Sequence, residues 1–106
     1  MKVLIDECVP AQVRNALVEH DVATVSGLRW KGKENGALIA AAEAAGFDVL
    51  VIADKNLRYQ QNLSGRKIAI VELWTNHRPT LERFFPRILS AVAGATPGSY
   101  IVVPAP

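Results

Sequence analysis

The chain has 106 residues but only one cysteine, Cys8, and two histidines, His20 and His77. A lone cysteine cannot form an internal disulfide, so packing must hold the fold, and the pattern fits a reducing cytoplasm. His20 and His77 stand at no metal-ligand spacing to each other or to Cys8, which argues against a zinc site. They also leave little to activate a thiol, so Cys8 reads as a small apolar residue in a strand-to-helix turn. No apolar run approaches the length of a membrane span. Lys2 leads at once into a strand, unlike the start of a signal peptide. A Gly-rich phosphate loop and a serine nucleophile elbow are both missing. Twelve basic side chains against ten acidic ones give a formal charge of only +2, so there is no basic surface in bulk. Repeats, low-complexity tracts and linkers are lacking as well. The expectation is one domain over residues 1–106, with 104–106 a loose tail.

Half of the chain is apolar, which excludes a disordered polar chain. Val3-Leu4-Ile5 is a branched apolar run of the kind found in a strand buried on both faces. It stops at two carboxylates, Asp6 and Glu7. The pattern recurs at Val49-Leu50-Val51-Ile52, which is followed by Ala53 and Asp54. Between them, Val9, Val13, Ala16 and Leu17 recur at helical spacing and predict a helix over about residues 10–19, with Pro10 in its first turn. Asp21 to Val25 reads as a second strand, and residues 26–33 as a loop.

Glu34 to Ala45 is the clearest helix, stacked on Ala37, Ala41 and Ala45 and stopped by Gly46. Lys67 to Leu73 predicts a fourth strand. Thr80 is placed to cap a last helix carrying Leu81, Phe84, Phe85, Ile88, Leu89 and Val92, with a kink or restart at Pro86. Ser99 to Val103 closes the series as a fifth strand. This alternation predicts a three-layer, doubly wound α/β domain with a mostly parallel sheet in the order 2-1-3-4-5. Its switch point falls between strands one and three, at Asp6 and Asp54, where such sheets bind ligands.

Carboxylates that converge at one sheet edge repel each other unless a cation sits between them or some are protonated. Hard oxygen ligands of this kind suit Mg²⁺ or Mn²⁺ acting on a phosphate ester. Asn56 adds a neutral ligand or orients a water. Glu34 has two readings of equal weight, as a further ligand or as a carboxylate favoured by the helix dipole. An Asp after a strand is often only a turn former, but two at adjacent strand ends favour a site. Lys33, Lys55 and Arg58 would hold flanking phosphates, and Trp30 or Tyr59 would stack on bases. The apolar C-terminal segment, with Trp30 and Trp74 in loops, leads us to expect a homodimer or a protein partner.

Three stretches resemble a known family. They are Leu4-Ile5-Asp6-Glu7 with Pro10, Trp30-Lys31-Gly32-Lys33-Glu34-Asn35-Gly36-Ala37-Leu38, and Val51-Ile52-Ala53-Asp54-Lys55-Asn56-Leu57 with the run through Leu63. Together they resemble the PIN-like domains, in particular a short bacterial branch associated with toxin–antitoxin-type nucleases. The resemblance covers nearly the whole chain. It implies a metal-dependent ribonuclease, with Asp6 as its first acid, Glu34 opening the second helix and Asp54 closing the next strand. Asn56 stands where many relatives carry another Asp, so the site has one negative charge fewer. The resemblance also implies a small antitoxin as partner.

A different class shares this sheet order. In receiver domains, Asp6, Glu7 and Asp54 would be the acidic pair and the phosphoacceptor, but Val103 leads to Pro104 where a receiver has its lysine. A third reading is a PIN fold that only binds.

Overall fold

In a computed structural model, residues 1–53 and 65–106 are described, and they form a five-stranded parallel sheet in the order β2-β1-β3-β4-β5. The strands are β1 (Lys2–Ile5), β2 (Asp21–Thr24), β3 (Val49–Ile52), β4 (Ala69–Glu72) and β5 (Tyr100–Val102). Every residue of β3 and β4 is buried, as the continuous apolar runs require of strands covered on both faces. The pairing sets Ile5 against Thr24 on one side and against Val51 on the other. β1 and β3 are therefore neighbours, and their carboxyl ends stand side by side at the expected switch point.

Side-chain alternation divides the core in two. On one face Val3, Ile5, Val49, Val51 and Val71 pack with Val13, Leu17, Leu81, Ile88 and Val92. On the other, Leu4, Leu50, Ile52 and Ile70 pack with Leu38, Ile39 and Ala42 of helix α1 (Asn35–Ala44). α1 begins one residue later than expected, with Glu34 at its N-cap position.

The first helical segment differs from the expectation. Ala11–Leu17 is a 3-10 helix. Its tighter winding aligns residues three apart, so Val13 and Ala16 share the buried line. Val18, which the longer α-helical reading included, is 80% exposed.

The last helix starts earlier than Thr80. Helix α2 (Arg78–Arg83) has Pro79 in its first turn, where a fixed φ and a missing N–H cost nothing. Thr80 pairs through its hydroxyl with Nδ1 of His77, at 2.8 Å, instead of capping. The break expected at Pro86 is present: the chain leaves helical geometry at Phe84 (φ −127°, ψ 28°), and helix α3 (Phe85–Ala93) restarts with Pro86 in its first turn.

The apolar C-terminal residues are largely taken up by the core. Ile88 is buried, Phe85 and Leu89 pack against the core cluster that contains it, and Trp74 meets Phe84 edge-on at 6.0 Å. The large exposed hydrophobics among the described residues are Met1, Val18, Leu28 and Val102, while Trp74, Phe84, Phe85 and Leu89 are half-buried. No helix among the described residues is long and apolar enough to cross a membrane.

Candidate active site at the carboxyl edge of the sheet

Asp6 directly follows β1, and its backbone N–H donates to the carbonyl of Val51 at 3.0 Å. The chain then turns sharply, and Val9 N–H closes on the Asp6 carbonyl at 3.0 Å. This turn brings Cys8 back over the carboxylate, and its Sγ donates to Oδ2 of Asp6 at 2.9 Å. Asp6 is 9% exposed. Cys8 therefore does more than fill space in a turn. The acid lines a cleft of about 310 Å³ between the ends of β1 and β2, with Glu7, Cys8, Pro10, Thr24 and Ser26.

The loop between β2 and α1 folds onto this edge. Val25 N–H bonds the Ile5 carbonyl, and Thr24 Oγ1 accepts from Gly27 N–H at 2.9 Å. Gly32, in the left-handed region at φ 86°, turns its N–H toward Oε1 of exposed Glu7 at 3.3 Å. Trp30 is half-buried, edge-on to Phe47 at 6.3 Å, and Lys33 Nζ lies 6.0 Å from the centre of its ring. Those contacts occupy much of the ring that was expected to stack on a base, while Lys33 itself is exposed. Glu34 is exposed at the amino end of α1, where the helix dipole favours a carboxylate, and its side chain makes no capping bond.

The structure adds an acid that the sequence reading passed over. Glu72, at the carboxyl end of β4, is 3% exposed and accepts a hydrogen bond from the Tyr100 hydroxyl at 2.7 Å. The signal was the one that marks Asp6: an apolar strand, Ala69-Ile70-Val71, closed by a carboxylate. A buried carboxylate costs several kcal/mol unless charge or hydrogen bonds compensate. Among the described residues, Asp6 and Glu72 are held by neutral donors, a thiol and a phenol. Such oxygens suit a hard divalent cation.

Asp54, Lys55, Asn56, Arg58 and Tyr59 lie outside the described residues. Among those described, no three Asp, Glu, His or Cys side chains stand close enough to share a metal ion. Asp6, Glu7, Glu34 and Glu72 thus do not make a complete ligand set by themselves. The histidines keep to other regions: His20 Nδ1 meets the Met1 ammonium at 3.2 Å, and His77 meets Thr80. Comparison with models of protein families, with curated proteins and with solved structures finds no match to this chain.

Proposed function

We propose that the protein is a divalent-metal-dependent ribonuclease of the PIN-like type that hydrolyses single-stranded RNA. The supporting observation is Asp6: a carboxylate nine-tenths buried at the end of β1, beside the end of β3, whose side-chain partner among the described residues is an uncharged thiol. No arginine or lysine neutralises it among the described residues. With Asp54 two residues beyond β3 in sequence, the reading has Asp6, Glu34 and Asp54 hold Mg²⁺ or Mn²⁺, with Asn56 orienting a water.

When bound there, such a cation would lower the pKa of a water and offset the charge of the scissile phosphate. The residues around it divide the remaining work. The carboxylates would position the ion, Lys33, Lys55 and Arg58 would hold phosphates on either side, and Tyr59 would stack on a base. An intracellular ribonuclease needs restraint, which gives the small antitoxin partner its place in this reading.

The test is a labelled single-stranded RNA incubated with purified protein in Mg²⁺, Mn²⁺ or chelator, beside Asp6→Asn. Cleavage that requires metal and is lost in the variant supports the assignment. Equal cleavage by the variant would mean a contaminating nuclease, and no cleavage in either metal would favour a fold that only binds. Both results overturn the proposal.

A further inference from the structure

We infer that Cys8 is the positioning residue of the Asp6 carboxylate, fixing Oδ2 through its thiol so that Oδ1 is the oxygen offered to a divalent cation. The inference rests on the metal-site reading above. Three observations carry it. Asp6 is nine-tenths buried yet lines an open cleft of about 310 Å³, so its carboxyl group is enclosed on the protein side and reachable from the other. Cys8 lines the same cleft and its Sγ is 2.9 Å from Oδ2, which is short for a bond to sulfur. The two residues are locked in one tight turn by the Val9 N–H bond to the Asp6 carbonyl, so the thiol reaches the carboxylate without a long, mobile side chain.

The chemistry of the donor matters. A lysine or arginine at this distance would also orient Asp6, but its positive charge would stabilise the carboxylate without metal and compete with a cation. A thiol is a weak, uncharged donor. It sets the rotamer and itself brings no positive charge to the carboxylate. Outer-shell partners of metal ligands typically contribute about 10–100-fold in affinity or activity, and Cys8 stands in that relation to Asp6.

Titration calorimetry with Mn²⁺ alone tests this on wild type, Cys8→Ala, Cys8→Val, Cys8→Ser and Asp6→Asn. Cys8→Ala and Cys8→Val, which lack a donor, should bind Mn²⁺ about 10-fold more weakly or worse. Cys8→Ser, which keeps one, should stay within about 3-fold of wild type. A packing role would give the reverse order, with Val close to wild type and Ser impaired, and would overturn the inference. If Asp6→Asn loses binding while every Cys8 variant binds as wild type, the metal site stands and the role of Cys8 falls. Wild-type binding by Asp6→Asn, or no uptake by wild type, defeats the metal-site reading itself. A spectroscopic arm does not depend on how the Cys8 variants fold. The chain has one thiol, so the infrared spectrum should show one S–H stretch, at lower frequency in wild type than in Asp6→Ala. An identical band in both proteins would overturn the inference.

Discussion

The two ends of the sheet treat their carboxylates differently. At the amino end, exposed Asp48 accepts the backbone N–H of Lys2 at 2.8 Å. The Lys2 ammonium in turn donates to the Ala45 carbonyl and lies 4.5 Å from the centre of the Phe47 ring. Glu43 faces Arg66 at 3.9 Å. At the carboxyl end, Asp6 and Glu72 are buried and, among the described residues, are held by a thiol and a phenol. A buried carboxylate is the costlier one to hold without a charged partner, yet the ion pair, Arg66 with Glu43, stands at the amino end. Exposed Asp48 serves the fold. The buried acids burden it, and a bound cation at the carboxyl edge would account for keeping them.

The largest expected effect sets the ends apart by activity. Asp6→Asn should lower kcat/KM for RNA by more than about 100-fold, as loss of a direct metal ligand exceeds the usual outer-shell effect. Asp48→Ala should leave it within about 2-fold, being at the far end of the sheet. Equal losses in the two variants would erase the functional difference between the ends.

Metal-linked stability should separate them next. With free Mn²⁺ at one hundred times its dissociation constant, urea unfolding should show wild type stabilised by about 2.7 kcal/mol. Asp48→Ala should gain the same increment, and Asp6→Asn almost none. A full increment in Asp6→Asn would place the ion elsewhere.

The sheet was legible because its strands are unusually plain. Val49-Leu50-Val51-Ile52 is fully buried and has no alternation to confuse it with a surface strand. Its match to Val3-Leu4-Ile5 located the neighbouring ends of β1 and β3 from pattern alone. Glu72 escaped notice because Leu73 and Trp74 follow it, so no break in hydrophobicity marked the end of β4. Cys8 packs against the core as a small apolar residue of the turn, as read, but its hydrogen bond was not legible. Residue type gives the thiol's polarity, but only the turn closed by Val9 shows that it folds back onto Asp6. The apolar C-terminal segment was read as a partner surface because its stripe, with two tryptophans in loops, looked too large for a small core to hide. Edge-to-face pairing of Trp74 with Phe84 draws both rings inward, and one-dimensional spacing does not reveal that contact.

A third variant probes the load carried by the carboxyl end. Tyr100→Phe removes the hydroxyl that donates to Glu72. It should cost about 1–3 kcal/mol, the range for leaving a buried acceptor without its partner. Adding Glu72→Gln should recover part of that loss, because a neutral amide is easier to bury than a carboxylate. Denaturant midpoints for the two single variants and the double variant measure this. A Tyr100→Phe protein as stable as wild type would mean that Glu72 draws its stability from elsewhere.

The smallest effect belongs to the amino end. Asp48→Ala deletes one acceptor for the Lys2 N–H, at the first residue of β1. Asp48 is exposed, so water can replace the lost oxygen, and the cost should be about 0.5–1.5 kcal/mol, toward the lower value. The donor is an uncharged backbone group, so the loss should change little with ionic strength. It should also be the same with and without Mn²⁺, because the site lies at the opposite end of the strand. Asp6→Asn should behave in the contrary way, costing little in chelator and withholding the gain in metal. Urea midpoints for both variants, at low and high salt and with or without Mn²⁺, complete the test. If the Asp48→Ala cost depends on Mn²⁺, cation binding is not confined to the carboxyl edge.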